Sequence, residues 1–269
     1  THNVSSAASD VYKRQVEELR AFRSLLDQKK SLGFVPTMGA LHEGHGELIQ
    51  QSVKNNDVSL VSIFVNPTQF NDKKDLESYP EDHDRDIELA EQQGAELVFL
   101  PSYTELYADD FSYQINESLF SEELCGVDRP GHFTGVLTVV MKLLNLVVPT
   151  RAYFGLKDYQ QFELVKGMCE AFFLPIEIVG VETVRDLDGL ALSSRNKLLS
   201  PEGRELAKKL NKILSRNETD ESVRDALEGE GFSVDYVQLR GDRRFAAVHA
   251  PGYTHPVRLI DNVQMESLK

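Results

Sequence analysis

The chain has 269 residues, enough for one generous α/β domain or two unequal ones. Its formal net charge of −14 excludes non-specific nucleic-acid binding, which runs on a basic surface. The same charge leaves room for a phosphorylated ligand, because a local cluster of cations serves one inside an acidic protein.

Residues 1–9 contain no apolar h-region and read as a disordered start. Val16, Leu19, Phe22, Leu25 and Leu26 recur at helical spacing, which predicts an amphipathic helix over about 14–29. Strand-like runs follow at 33–36, 58–65, 96–100, 152–155 and 176–184, with helical segments at about 44–55, 82–93, 132–147 and 159–173 between them. The runs at 58–65 and 176–184 are dense in Val and Ile, as strands of a parallel sheet covered on both faces are. Alternating strands and helices predict βαβ units in an open, doubly wound sheet. The longest apolar stretch, 136–148, is broken by Lys142 and Asn145. It falls short of the roughly 18–20 apolar residues of a membrane span and predicts a buried helix.

The texture changes near Asn196. Ser200-Pro201-Glu202 starts a helix, with Ser at the cap and Pro in the first turn, and a charged helix runs to about Arg216. A second helix at 219–230 and short strands near 233–240, 245–249 and 256–260 make a small α+β domain, with 185–195 as hinge or loop. Cys125 and Cys169 stand far apart with no C-x-x-C or His spacing around them. They read as reduced thiols packed in a core, which points to the cytoplasm.

The stretch PTMGALHEGH at 36–45 leaves the first strand and enters a helix. The first amides of a helix have no internal partner and its dipole is positive there, so an anion is favoured. Gly39 and Gly44 let backbone approach a ligand closely, and His42 and His45 are three apart, on one side of a helical turn. Three further segments fit a nucleotide. Gly155-Leu156-Lys157-Asp158 follows a strand, at the sheet edge where His45 also emerges. Leu192-Ser193-Ser194-Arg195 supplies hydroxyls and a guanidinium suited to phosphate oxygens, after a flexible Asp188-Gly189 turn. Asn66-Pro67-Thr68-Gln69 comes off the 58–65 strand with neutral amides.

Taken in order, VPTMGALHEGH (35–45), SIFVNPTQF (62–70), RPGHFTGV (129–136), FGLKDYQQ (154–161), IVGVETVR (178–185), DGLALSSRN (188–196) and RLIDN (258–262) resemble the pantoate–β-alanine ligases. That family is part of the nucleotidylyl-transferase superfamily related to class I aminoacyl-tRNA synthetases. The resemblance implies a Rossmann-like doubly wound parallel sheet over 10–185, binding nucleotide and pantoate, and a smaller C-terminal α+β lid domain over 186–269. It also implies a cytoplasmic homodimer that joins pantoate to β-alanine with ATP and Mg²⁺, giving pantothenate, AMP and pyrophosphate. Under it, Met38, Gly39, Ala40, Leu41, His42, Glu43, Gly44 and His45 contact ATP, and His45 matches the catalytic histidine. Gly155, Leu156, Lys157, Asp158, Val184, Leu192, Ser193, Ser194 and Arg195 match the other ATP contacts, and Gln69 and Gln161 the glutamines that hold pantoate. Two positions depart from the family pattern: Leu156 stands where Glu is common in G-E-K-D, and Glu81 where Arg is common after Tyr-Pro.

Activating a carboxylate by adenylation concentrates negative charge on the α-phosphate, so prearranged donors carry the acceleration. His42, His45 and Lys157 are assigned that role, with Ser193, Ser194 and Arg195 at the β/γ end. Other roles are expected elsewhere: His83 on a solvated helix face, His132 capping the 132–147 helix, and His249 and His255 at the surface. A nucleotidyltransferase of the same fold acting on a phosphorylated acceptor would need a cationic acceptor pocket, whereas Asn66, Gln69 and Gln161 are neutral. A non-catalytic nucleotide-binding regulator would have lost phosphate-facing residues that are all present here.

Overall fold

The structure is a computed structural model that describes residues 12–13, 15–27, 29–71, 73–77 and 79–265. The start expected to be disordered, 1–9, lies outside the described residues. The chain divides into two compact units: residues up to Gly155 with Gln160–Val181, and Leu156–Tyr159 with the chain from Glu182 onward.

The first unit is built on a parallel sheet. Its strands are β1 (Tyr12–Lys13), β2 (Leu32–Thr37), β3 (Val58–Ile63), β4 (Leu97–Phe99), β5 (Arg151–Gly155) and β6 (Glu177–Val181), in spatial order β1-β4-β3-β2-β5-β6. β2 and β3 pair in parallel from Leu32 opposite Val58 to Thr37 opposite Ile63. Phe34, Val35, Leu60, Val61, Val98 and Phe99 are fully buried, as a sheet covered on both faces demands.

The helices in chain order are α1 (Val16–Leu25), α2 (Glu43–Asn55), α3 (Lys73–Glu77), α4 (His83–Gln92), α5 (Tyr103–Leu106), α6 (Cys125–Asp128), α7 (His132–Val147) and α8 (Tyr159–Ala171). α2 packs on β2, β3 and β5 and touches α4, while α1 packs on α7. α7 is buried along nearly its whole length, which is what the 136–148 run predicts. Among the described residues no helix is long and apolar enough to cross a membrane. After β2 the order runs one way through β3 and β4 and the other way through β5 and β6. The crevice beyond the carboxyl ends of β2 and β5 is therefore a topological switch point, where open α/β sheets take their ligands.

The second unit has an antiparallel sheet, β7 (Ser233–Arg240), β8 (Arg243–Ala250) and β9 (Val257–Gln264), in that order, with α9 (Pro201–Ala207), α10 (Leu210–Leu214) and α11 (Asp220–Glu230). Leu210, Leu214, Val223, Leu227, Val248 and Leu259 form its core. The helix expected from Pro201 to Arg216 is two helices, because the Lys209 N–H bonds Leu206 O at 3.0 Å, one residue short of α spacing. The buried Arg244 guanidinium ties the link between α10 and α11 to β8 through Asp220 Oδ1 at 2.8 Å, Leu214 O at 3.1 Å and Arg216 O at 2.6 Å. Cys125 and Cys169 are buried free thiols.

Candidate active site

β2 hands the chain through residues 38–41 to His42, the N-cap of α2. His42 Nδ1 accepts the Gly44 N–H at 3.1 Å, and His45 Nδ1 accepts the His42 N–H at 3.3 Å. A ring nitrogen that accepts carries no proton, so each neutral imidazole holds its hydrogen on Nε2. The two rings lie 4.2 Å apart at 45°. Reciprocal capping thus does two things: it satisfies helix-end amides and it sets two Nε2–H donors at the positive end of α2.

The amides of the preceding loop have protein partners. Gly39 N–H donates to Thr37 Oγ1 at 3.2 Å, and Ala40 and Leu41 donate to the Asp86 carboxylate at 2.8 and 2.7 Å. Asp86 belongs to the first turn of α4 and is 2% exposed. Gly39, at φ 80°, has to be glycine, since a β-carbon there would sit 2.8 Å from Asp86 Oδ2. Ala40 adopts a left-handed φ of 51° despite its methyl group. Such a conformation costs about 1–2 kcal/mol and is held by the bonds to Asp86. Burial holds the Asp86 carboxyl above its usual range, against the pull of the Leu41 and Ala40 amides. The amides of Gly39, Ala40 and Leu41 are thus bonded within the protein, and the Leu41 side chain is in the core.

Beyond β3, Asn66 leads into a 3-10 turn, Pro67–Gln69. Asn66 is 1% exposed and its amide is filled on both sides. Oδ1 accepts from Tyr107 Oη at 2.9 Å and Thr68 Oγ1 at 3.0 Å, and Nδ2 donates to Gln69 Oε1 at 3.0 Å and Gly135 O at 3.2 Å. Gln69 Oε1 thereby accepts one hydrogen bond, and its Nε2 is a donor. Burial pushes the Tyr107 hydroxyl up to about 12, which keeps it protonated and donating. His132 does not cap α7; the cap is Gly131, at φ 80°, and His132 Nδ1 lies 2.8 Å from Gln69 O. Gln161 is half-buried in the first turn of α8. Its neighbour Gln160 is structural, accepting the Cys125 N–H at 3.1 Å and donating to Phe120 O and Glu123 O at 2.7 Å each.

In the second unit, Lys157 sits on the 3-10 turn Leu156–Asp158, its Nζ 3.6 Å from Asp158 Oδ1. Lys157, Ser193 and Arg195 line one pocket together with Arg258 and Asp261. Ser193 caps the 3-10 turn Ser194–Leu198 by accepting the Arg195 N–H at 3.3 Å, and the Leu192 N–H bonds Val184 O at 3.0 Å. Asn262 Nδ2 donates to both Leu156 O and Lys157 O at 2.9 Å, and Arg243 Nη1 donates to Asn262 Oδ1 at 2.6 Å. Asp261 holds Arg185 in a two-pronged ion pair at 2.7 and 2.8 Å.

This geometry can be set beside known proteins. The family model for pantoate-beta-alanine ligase matches residues 11–264. The chain belongs to the pantoate–β-alanine ligase family. It is 51% identical over 252 residues to a pantothenate synthetase of Bdellovibrio bacteriovorus, covering 94% of this chain and 98% of that protein. It is 49% identical to a pantothenate synthetase of Legionella pneumophila over 90% of this chain and 94% of that protein. Among solved structures, a pantoate-beta-alanine ligase of Francisella tularensis, complexed with beta-gamma ATP and beta-alanine, superposes with a TM-score of 0.88 at 39% identity, covering 94% and 97% of the two chains. A pantothenate synthetase of Thermus thermophilus gives 0.84 at 38% identity, covering 94% and 99%.

Within this ligase family pattern, the departure at Leu156 has a physical reading. The position is held by Asn262 through its carbonyl, which any residue supplies. Glu81 is exposed. His83 is exposed on α4 and His255 is exposed, whereas His249 pairs with Asp235 at 3.1 Å. Asp86 and Asn262 hold the main chain at residues 40–41 and 156–157, and the sequence alone does not single them out. RLIDN carries Asn262 in plain view, but nothing local connects it to residue 157, and Asp86 lies 46 positions from the amide of Ala40.

Proposed function

We propose that this chain condenses pantoate with β-alanine to give pantothenate, consuming ATP and releasing AMP and pyrophosphate through a pantoyl adenylate. The match to the ligase family over residues 11–264 carries the reading. The Francisella complex with beta-gamma ATP and beta-alanine supports ATP and β-alanine as substrates here.

In the first step a pantoate carboxylate oxygen attacks the α-phosphorus and pyrophosphate leaves. In the second the amine of β-alanine attacks the acyl carbon, AMP leaves, and the nitrogen loses a proton. Negative charge grows on the α-phosphate and on the leaving group, so donors already in place stabilise the transition state most. The Nε2–H groups of His42 and His45, and the ammonium of Lys157, are assigned to phosphate oxygens. Ser193, Ser194 and Arg195 are assigned to the β/γ end, with Met38, Gly39, Ala40, Leu41, Glu43, Gly44, Gly155, Leu156, Asp158, Val184 and Leu192 as further ATP contacts. Gln69, donating through Nε2, and Gln161 are assigned to pantoate. These side chains are donors and cations suited to phosphate rather than a carboxylate cage. Mg²⁺ is accordingly assigned to ATP itself, carried on phosphate oxygens and water.

A homodimer in the cytoplasm completes the reading; buried free thiols suit a reducing compartment. The test is a pantoate-dependent exchange between ATP and pyrophosphate. Exchange that needs pantoate and not β-alanine supports the adenylate. Exchange without pantoate, or none with it, overturns it. Sedimentation of the purified chain tests the dimer.

A further inference from the structure

We propose that His132, braced by Arg129, is a positioning residue for pantoate: it fixes the main chain of Gln69 and so the place of that residue's amide donor. The inference rests on the assignment of Gln69 to pantoate.

Gln69 O receives two donors, His132 Nδ1 at 2.8 Å and Arg129 Nη2 at 3.3 Å. A carbonyl can only accept, so Nδ1 carries the hydrogen. Nε2 of the neutral ring is then an acceptor, and Arg129 Nη1 lies 3.0 Å from it; a guanidinium can only donate. Both contacts are satisfied by one tautomer, Nδ1–H, the opposite of the one His42 and His45 hold. The turn that brings the pair together is short. His132 N–H bonds Arg129 O at 3.0 Å, and Gly131 between them takes a φ of 80°. That is what the R-P-G-H order supplies.

Two other contacts show that the Gln69 segment is held rather than merely touched. α7 presses on it at Gly135, where a β-carbon would lie 2.5 Å from Thr68 O and 2.7 Å from Gln69 N. At the other end of the residue, Asn66 holds the side-chain Oε1. Main chain and amide are thus pinned independently. A donor misplaced by about an ångström loses much of its effect on an oriented substrate, so the main-chain anchor is felt at Nε2.

Steady-state kinetics with pantoate and ATP varied in turn tests this with His132→Ala, His132→Asn and His132→Gln. The Asn amide nitrogen stands where Nδ1 stands, and the Gln amide nitrogen where Nε2 stands. The Ala and Gln variants are expected to raise the pantoate KM about tenfold, the value of one good hydrogen bond, with the ATP KM unchanged. His132→Asn is expected to restore pantoate use to within about twofold of the parent. Arg129→Met, which removes the brace and its own donor, is expected to raise the pantoate KM about threefold or more.

An unchanged pantoate KM in the Ala variant overturns the proposal. So does a rise in both KM values together, or rescue by Gln as good as by Asn. Should the Ala variant not fold, the Asn and Gln pair, which both fill the ring's space, decides the matter in the same way. Gln69→Ala run in parallel separates the two levels. If it leaves the pantoate KM unchanged, the assignment of Gln69 fails; if it raises the KM while the His132 variants do not, the positioning role fails.

Discussion

The Asp86 carboxylate accepts the Leu41 N–H at 2.7 Å through Oδ1, while its Oδ2 takes the Ala40 N–H at 2.8 Å. A residue of α4 thereby sets the loop that leads into the imidazole cap of α2. Asp86→Ala takes the carboxylate from one buried amide, that of Leu41, and one half-buried amide, that of Ala40. It is expected to cost about 1–3 kcal/mol of stability and to lower turnover, because His42 follows the loop directly. The pH dependence has a definite sign. The folded carboxyl titrates above its unfolded value, since burial disfavours the charge. Its contribution to stability is whole below the unfolded value near 3.9 and is lost as pH rises through the folded one. Denaturation midpoints of parent and variant across that acidic window should show the parent's advantage shrinking as pH rises. A flat difference would contradict the raised carboxyl.

His45 caps α2, and its proposed second role as a donor to phosphate is separable by substitution. His45→Ala is expected to lower turnover about a hundredfold or more, the cost of one preorganised donor. His45→Gln carries an amide near the Nε2 position and should retain more activity than His45→Asn. His45→Asn places an oxygen near Nδ1 and should keep more of the helix cap, read as a higher melting temperature. The reverse ranking in exchange rate would remove the Nε2–H donor from the mechanism.

Asn262 acts on Lys157 through main-chain oxygens. Asn262→Asp keeps shape but turns a carboxylate on two carbonyls that the amide now bonds at 2.9 Å. The aspartate is expected to lower kcat more than Asn262→Ala does, and to unfold earlier in denaturant, by about 1–3 kcal/mol. An aspartate variant as active as the parent would show that this hold on the turn has no bearing on Lys157.

Cys169 is 2% exposed and burial pushes its thiol up to about 11. The thiolate is the reactive form, so the residue should resist alkylation at neutral pH until the protein unfolds. Mass spectrometry after iodoacetamide treatment, with and without denaturant, measures this directly. Modification of the native protein at position 169 would contradict it.

Periodicity and strand density make the parallel sheet readable, and Val58–Ile63 declares a buried strand by composition alone; Glu177–Val181, read the same way, is instead the sheet's edge strand and is buried only at Val181. β1 is invisible because two residues have no period, and the break after Ala207 because Lys208 and Lys209 are good helix formers. In the site, residue types and spacing point to His42, His45, Lys157 and the Ser193–Arg195 segment. What they cannot carry is direction. Which ring nitrogen holds hydrogen follows from partners such as Gly44 and Gln69 that only folding brings up, and His132 reads as a cap for the same reason. The partner of the Ala40 amide, Asp86, is likewise unreadable because it comes from a different helix.

The chain passes between its two units more than once, since residues 156–159 belong with the segment from Glu182 onward although β5 and most of α8 flank them in sequence. Neither half is therefore a contiguous gene fragment. Expressed from residue 182, the later piece would lack the carbonyls that Asn262 grips, and co-expressing it with residues 1–181 would strand those four residues on the wrong polypeptide. Dissection at the obvious joint severs a lysine from the strand pair that holds it, so the isolated second unit would not report on the whole chain.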